Sequence, residues 1–258
     1  MNCNICQSQF EPIFKKIILG KYTVQFYQCT HCGFVQTEKP YWLAEAYTDA
    51  ISVLDTGILE RNFKFSIVFP WVVKFNFNKK GRFLDYGGGY GIFVRLMRDK
   101  GFDFYRQDAF CENLFAKMYD LKDINSKDQK FEMLTAFEVF EHLTDPVNEV
   151  MEMLKYSDSI LFSTLLIPSK SNDLSNWWYI SEQTGQHVSF YSEKSLKILG
   201  EKFEMNLYSN GDNFHLLTKR KINPIFFIGL KGMYFIKNMF KSTDKILLNQ
   251  NADRQKML

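Results

Sequence analysis

The middle of the chain alternates short apolar runs with segments whose apolar residues recur every three or four positions. Arg82–Tyr86 predicts a buried strand, and Gly91–Met97 has the spacing of an amphipathic helix. Further strands are predicted at Phe102–Gln107, Phe131–Phe137 and Ser159–Leu166, with a helix near Pro146–Lys155. This alternation predicts an α/β fold with a Rossmann-like, mostly parallel sheet and helices on both faces.

The pattern changes after the last of these strands. Glu204–Ser209 and Phe214–Lys219 are strand-like and flank Asn210-Gly211-Asp212, a strong turn signal for a hairpin. A helix is predicted from Glu193, with Ser192 as its N-cap. We therefore expect the sheet to close with an antiparallel hairpin.

Changes in residue pattern divide the chain into four regions. Residues 1–40 carry two cysteine pairs, 41–80 are aromatic-rich and predicted to be helical, 81–221 contain the strand and helix alternation, and 222–258 close the chain. The last region opens with an apolar, aromatic run that lysines interrupt. We expect a helix packed on the main domain or at a homodimer interface; the alternative is a basic amphipathic surface on a membrane.

Composition and charge limit the class of protein. With 46% hydrophobic and 24% charged residues, the 258-residue chain has globular composition. The net charge of +3 is too small to favour nucleic acid as a partner. The first six residues contain neither a basic nor an apolar stretch, so we expect no secretory signal and place the protein in the cytoplasm. Thiols stay reduced there, which favours metal binding by paired cysteines.

A glycine-rich turn, Asp85-Tyr86-Gly87-Gly88-Gly89-Tyr90-Gly91, lies between the first predicted strand and helix. Such glycines let the backbone approach a ligand, and the helix start behind them presents unpaired N–H groups. A dinucleotide fingerprint would place its third glycine where Ile92 stands, so a nicotinamide cofactor is disfavoured. Phe83–Val94 resembles the first motif of class I S-adenosylmethionine methyltransferases. The resemblance implies cofactor binding by a set comprising Asp85, Tyr86, Gly87, Gly89 and Gly91.

An acidic residue follows the glycine-rich turn at the sequence spacing expected of a ribose-binding carboxylate. Asp108 lies 21 positions after Gly87, close to the spacing at which a carboxylate reaches ribose hydroxyls. The resemblance implies this role for Asp108 and a place beside the adenine for Ala109 and Phe110. The alternative is that the glycines form only a tight turn and Asp108 is an exposed loop residue.

The strand ending near Phe137 runs into a polar segment. Glu138-Val139-Phe140-Glu141-His142-Leu143 is similar to the motif after the corresponding strand in many small-molecule methyltransferases. Ligands of doubly wound sheets bind beyond the carboxyl ends of the strands, so we expect Glu138 to line the cofactor and acceptor pocket. Glu141 and His142 are candidates for removing a proton from the acceptor. Alternatively, they only cap the following helix.

An aromatic loop precedes the predicted hairpin. It contains Trp178, Tyr179, Gln186 and His187, and in methyltransferases of this type the corresponding insertion often covers the acceptor. Aromatic rings offer a stacking surface, and a histidine titrates near neutrality, so His187 is the first candidate for the general base. The alternative is that the aromatic residues are core and His187 bonds only to the backbone.

Four cysteines form two C-x2-C pairs. Cys3 and Cys6 are separated by 22 residues from Cys29 and Cys32, slightly more than a zinc ribbon usually has. Four thiolates close a tetrahedral zinc site, which would be structural. Disulfides, a redox pair and an iron–sulfur site are the alternatives.

A four-cysteine module joined to these motifs is similar to sugar C-methyltransferases and to relatives associated with surface polysaccharides. The resemblance implies that the segment Tyr41–Asn62 covers the cofactor, with Arg61 reaching its carboxylate. No His-Glu-His string of the C-methylating subgroup is present, so O- or N-methylation is favoured. We expect methyl transfer to a small sugar- or nucleotide-linked acceptor. A nicotinamide-dependent oxidoreductase, a non-catalytic scaffold and a nucleic-acid methyltransferase are the alternatives.

Overall fold

The computed structural model describes residues 2–48, 51–124, 130–168 and 173–224, together with Phe227, Gly229 and Gln255. It divides into two compact units. The first, Met1–Asp49 with Met133–Lys221, is called here the cysteine unit, and the second, Ala50–Glu132 with Ile222–Leu258, the glycine unit. The predictions for 222–258 fall almost entirely outside the described residues. Among the described residues, no helix is both long and apolar enough to cross a bilayer.

The secondary structure follows the predicted alternation. In chain order, the described strands are β1 (Phe10–Ile18), β2 (Tyr22–Cys29), β3 (Val35–Thr37), β4 (Arg82–Tyr86), β5 (Asp103–Gln107), β6 (Met133–Phe137), β7 (Ser159–Ser163), β8 (Ser189–Phe190), β9 (Asn206–Ser209) and β10 (Phe214–Thr218). The described α-helices are α1 (Leu43–Ala46), α2 (Ile58–Asn76), α3 (Ile92–Asp99), α4 (Pro146–Leu154) and α5 (Glu193–Glu201). Strands β4 and β5 and helices α2 and α3 belong to the glycine unit.

The glycine unit is built on two parallel strands, as predicted. β4 pairs with β5 from Arg82 opposite Asp103 to Tyr86 opposite Gln107. Helix α2 buries the ring of Phe69, which makes edge-on contacts with four other rings: Phe83, Phe93, Phe102 and Phe104. Such contacts stabilise packing by about 0.5–1.5 kcal/mol each beyond area burial. This aromatic core holds β4, and with it the glycine-rich turn, in place.

One sheet of the cysteine unit contains β6, β7, β10 and β9. β6 and β7 are parallel, whereas β10 is antiparallel to both β7 and β9, which confirms the predicted closing hairpin. The predicted strand at Ser159–Leu166 is too long, since β7 ends at Ser163. Beyond it, the N–H groups of Thr164 and Leu166 donate to loop carbonyls of Asn213 and Asp212 instead of to the ladder.

A second sheet of the cysteine unit joins the amino-terminal segment to a much later loop. β1, β2, β3 and β8 form an antiparallel sheet, with Val35 opposite Phe190 at its last pairing. Its core includes Phe26, Trp42 and Tyr179. The sequence did not indicate this pairing, because a two-residue strand has no periodicity to detect. The four-region division of the chain stays a prediction.

Candidate active site and metal centre

The glycine-rich turn has a backbone that only glycine adopts without strain. Gly87, Gly89 and Gly91 have φ angles of 66°, 52° and 85°. A Cβ atom on Gly88 would lie 2.7 Å from Cγ of Arg106 and 2.9 Å from Oδ2 of Asp85. The side chains of Arg106 and Asp85 therefore leave no room for a Cβ atom on Gly88, whereas the other three glycines are required by their backbone conformation.

Asp108 organises this turn through backbone hydrogen bonds. Its Oδ2 accepts the N–H of Gly89 at 2.9 Å, and its Oδ1 accepts those of Phe110 at 2.8 Å and Cys111 at 2.7 Å. A carboxylate offers about four lone-pair directions, so Oδ2 retains acceptor capacity. The structure thus brings Asp108 onto the glycine turn, and its predicted ribose contact stays a prediction.

Arg106 is a residue of this region that the sequence analysis missed. The residue is only 4% exposed, and its guanidinium donates to Asp120 Oδ1 at 2.7 Å and to the carbonyl oxygens of Gly89 and Cys111. It therefore holds the turn and the loop after β5 together. The signal available in the sequence was a charged residue within a short strand, which is costly to bury unless paired.

The other predicted cofactor residues of the glycine unit have varied surroundings. Asp85 is 3% exposed at the end of β4, and Tyr86 is half-buried. Ala109 is exposed, and the ring of Phe110 is 79% exposed. Arg61 forms a 2.5 Å ion pair with Asp55, so a cofactor carboxylate would have to share or displace this partner.

Glu138 in the cysteine unit sits in a constrained conformation directly after β6. Its φ of 55° lies in the left-handed region, which is uncommon for a residue with a side chain and is enriched at functional sites. Ser163, at the end of β7, accepts the N–H of Glu138 at 2.8 Å and donates its hydroxyl to Oε1 at 2.6 Å. One serine therefore fixes both the backbone and the carboxylate.

His142 and His187 form a histidine pair, with ring centroids 4.9 Å apart and planes at 87°. Nδ1 of His187 lies 2.6 Å from the carbonyl oxygen of Tyr179. Nδ1 of His142 lies 3.1 Å from the carbonyl oxygen of Gln186 and 3.0 Å from the hydroxyl of Tyr47. Because a carbonyl only accepts, Nδ1 of His187 carries a proton, and its Nε2 holds the lone pair of the neutral ring.

Glu141 lies beside this pair and is fully buried. A carboxylate oxygen of Glu141 and one ring nitrogen each of His142 and His187 all lie within 4.8 Å of one another. Burial, followed by the charge of Glu141, raises the pKa of Tyr179 and Tyr191 well above the usual value. The structure thus brings together all three predicted catalytic residues.

The predicted acceptor-contacting residues differ in how their polar groups are used. Gln186 is 7% exposed, and its amide donates to the carbonyl of Ala46 at 2.8 Å. The hydroxyl of Tyr179 accepts the N–H of Leu165 at 3.2 Å. Both residues support the loop that carries His187, whereas the Trp178 side chain is 72% exposed.

The four predicted metal ligands converge. The sulfur atoms of Cys3, Cys6, Cys29 and Cys32 lie within 4.8 Å of one another, with Cys3–Cys32 at 3.7 Å and Cys6–Cys29 at 3.3 Å. Tetrahedral zinc with Zn–S distances of about 2.3 Å places its sulfurs roughly 3.8 Å apart. The four thiols form no disulfide with one another, which disagrees with the disulfide alternative. A set of four sulfur donors fits zinc.

Each cysteine pair is followed by a left-handed residue, as a metal-binding knuckle requires. Gln7 has φ 65° and Gly33 has φ 73°, and the N–H of Gly33 donates to the carbonyl of Cys29 at 3.0 Å. A hydrogen bond from the Cys32 thiol lowers the pKa of Cys3 to about 5. The same contact raises the pKa of Cys32.

The second knuckle contacts the segment that follows His187. The hydroxyl of Ser192 donates to the carbonyl of Cys32 at 2.6 Å and also accepts the N–H of Ser195 as the N-cap of α5. This confirms the predicted N-cap. Lys194 adds a 2.5 Å bond to the carbonyl of His31. The cysteine cluster and the start of α5 are thus directly linked.

Comparison with known proteins adds a family match. A family model described as a methyltransferase domain matches residues 62–210, more than half of the chain. No curated protein matches the sequence. The match includes the glycine turn, Asp108, the segment around His142 and the aromatic loop, and it ends directly after β9.

Similar solved structures are distant. The magnesium protoporphyrin IX methyltransferase from Synechocystis PCC 6803 with bound SAH is 13% identical, with a TM-score of 0.45, over 68% of this chain and 90% of that chain. The plantazolicin methyltransferase in complex with SAH is 12% identical, with a TM-score of 0.41, over 69% of this chain and 89% of that chain.

Proposed function

The chain belongs to the methyltransferase domain family and is an S-adenosylmethionine-dependent methyltransferase, and we propose that it methylates an oxygen or nitrogen atom of a small acceptor. The observation that carries this proposal is the glycine turn clamped by Asp108 and Arg106. Helix α3 begins directly behind this turn, and the unpaired backbone N–H groups of a helix start favour an anionic group.

For the donor, we assign the residues predicted from the sequence. Asp85 and the turn from Tyr86 to Gly91 bind the amino-acid end, with Arg61 reaching its carboxylate once Asp55 shares it. Asp108 accepts a ribose hydroxyl through Oδ2, and Ala109 and Phe110 border the adenine. The exposed ring of Phe110 supports this last role, because an aromatic face stacks on a base. When bound, S-adenosylmethionine supplies the methyl group of its sulfonium.

For the acceptor, we assign the histidine pair and its neighbours. His187 accepts the acceptor's proton at Nε2, since its Nδ1 proton is held by the carbonyl of Tyr179 at 2.6 Å. Glu141 stabilises the resulting imidazolium, and His142 supports the same site. Glu138, fixed by Ser163, lines the pocket.

The acceptor that we propose is a nucleotide-linked sugar or a surface-polysaccharide precursor. The combination of a four-cysteine module with these motifs supports it. The indole of Trp178 is 72% exposed, and an apolar aromatic face stacks on a sugar ring.

We propose that the four cysteines hold zinc with a structural role. Four sulfur ligands leave no open position for chemistry. We also propose the cytoplasm as the location, because thiols stay reduced there and available to a metal.

The test is calorimetric titration with S-adenosylhomocysteine, with NAD in parallel. We expect micromolar binding by the protein, strongly weakened by Asp108→Ala and unchanged by Asp99→Ala, an exposed carboxylate of the same unit. A 2′-deoxy analogue separates the ribose contact from loop support. Its affinity should depend less on Asp108 than that of the parent compound.

Each outcome has a definite meaning. Binding of NAD alone would favour an oxidoreductase. Binding of neither ligand would reject the donor site as assigned and favour a non-catalytic scaffold. Equal sensitivity of the deoxy analogue to Asp108→Ala would remove the ribose role.

A further inference from the structure

The cysteine unit contains a second set of metal-binding groups, separate from the four cysteines. Glu141, His142 and His187 each place one ligand atom within 4.8 Å of the others. We propose that these three side chains bind a divalent transition-metal cation such as Zn²⁺ or Co²⁺. Two imidazoles and one carboxylate are a donor set that such cations favour.

The spacing of the imidazole rings is compatible with two ligands of one cation. Their centroids are 4.9 Å apart and their planes stand at 87°. A metal–nitrogen distance of about 2.1 Å puts the metal about 3.2 Å from each centroid, so ligands at 90–110° have centroids roughly 4.5–5.2 Å apart. The observed separation lies within this range.

The carbonyl contacts of both rings fit the tautomer that metal binding needs. Nδ1 of His187 faces the carbonyl of Tyr179 at 2.6 Å, and Nδ1 of His142 faces that of Gln186 at 3.1 Å and the hydroxyl of Tyr47 at 3.0 Å. A protonated Nδ1 leaves the lone pair on Nε2. Backbone carbonyls bonded to the far nitrogen are the usual outer shell of a metal-bound histidine.

The charge of Glu141 also favours a cation at this cluster. Its side chain is fully buried, and a carboxylate removed from water needs compensating positive charge or hydrogen bonds. A divalent cation bound by this carboxylate and the two imidazoles would add positive charge to that buried environment.

The kinetic consequence rests on the proposed function, whereas cation binding does not. The lone pair of His187 Nε2 binds either a proton or a cation. A cation on this cluster therefore blocks the base and inhibits methyl transfer, unlike zinc on the cysteines.

The experiment uses the full chain, purified with zinc on the cysteines and freed of excess metal. Co²⁺ is then added and followed by calorimetry and absorption. We expect one further equivalent of Co²⁺ to bind without thiolate-to-cobalt charge-transfer absorption, because the ligand atoms are nitrogen and oxygen. Glu141→Gln and His187→Asn should weaken it by more than the about 10–100-fold lost with an outer-shell partner. The matched control is Glu182→Gln, a carboxylate paired with Lys16 outside the cluster.

If the unaltered protein bound no further equivalent of Co²⁺, the metal site would be overturned. It would also be overturned if both cluster variants bound Co²⁺ as tightly as the unaltered protein. If a variant does not fold, the absorption of the unaltered protein still decides the ligand type. Cation binding without inhibition would support the metal site and contradict His187 as base. If the enzyme were active but bound no further equivalent of Co²⁺, the metal site would be rejected and the proposed function would stand.

Discussion

At the scale of single residues, the structure explains roles that chemistry alone assigns ambiguously. Glu138 was predicted from its place after a strand, but the serine that fixes it lies 25 positions later. Ser163 closes a two-bond ring with Glu138, accepting at 2.8 Å and donating at 2.6 Å. This pairing makes Ser163 a positioning residue.

Ser163→Ala should therefore lower kcat for methyl transfer by about 10- to 150-fold, because a hydrogen bond to a charged group contributes about 1.5–3 kcal/mol. Ser163→Thr retains the hydroxyl and should restore most of the rate. Steady-state kinetics with circular dichroism as a folding control measure this. Equal loss of rate in both variants would show that packing, rather than the hydroxyl, matters.

His215 predicts a pH dependence of stability. It is fully buried in β10, between Ser209 Oγ at 2.9 Å and the carbonyl of Thr164 at 3.0 Å. Burial lowers its pKa from 6.5 to about 4. The unfolded chain thus takes up the proton first, so the contribution is complete above pH 6.5 and is lost as the pH falls towards 4.

The loss at low pH amounts to about 3 kcal/mol at most, from about 1.4 kcal/mol per pKa unit. Urea unfolding at pH 7 and pH 4.5 measures it. His215→Gln should be less stable at pH 7 but lose less between the two pH values. The same pH slope in both proteins would contradict the assignment to His215.

At the scale of elements, the start of α3 depends on Gly91. Its φ is 85°, and an added Cβ would lie 2.7 Å from Oδ1 of Asn113 and 3.1 Å from Cβ of Ala116. Gly101, which follows the same helix, has φ 79° but open space around it. The two positions share the backbone strain and differ in crowding.

Gly91→Ala should therefore be more destabilising than Gly101→Ala, which should cost about 1–2 kcal/mol from backbone strain alone. Gly91→Ala should also weaken S-adenosylhomocysteine binding, whereas Gly101→Ala should not. Thermal unfolding and calorimetry test both. Matching stabilities and affinities would show that the turn tolerates a side chain.

At the scale of the whole molecule, the amino-terminal segment Met1–Asp49 belongs to the same compact unit as Met133–Lys221. β3 pairs with β8, and Ser192 joins the second cysteine knuckle to α5. Trp42 adds a 2.8 Å bond to the carbonyl of Gly185. The loop carrying His187 is thus held by residues from the other end of the chain.

Removing the zinc that we propose at the cysteines should therefore lower the thermal midpoint and reduce kcat, by about 10- to 100-fold for a misplacement near 1 Å. Binding of S-adenosylhomocysteine should change far less, because its proposed ligands lie mostly in the glycine unit. A chelator titration with zinc add-back measures all three quantities. Undiminished kcat in the metal-free protein would show that the module does not support this loop.

The sequence by itself determined the local features of this protein. Strand and helix periodicity, the glycine turn, the cysteine pairs and the N-cap at Ser192 are all properties of near neighbours along the chain, so pattern alone predicts them. Spacing placed Asp108 near the turn, since the connection from β4 to β5 is short.

Only the tertiary structure decided what depends on distant residues. The pairing of β3 with β8, the clamp of Arg106, the Ser163–Glu138 ring and the meeting of His142 with His187 join positions that no periodicity relates. The physical reason is that buried polar groups must find partners, and those partners come from wherever the packed chain brings them.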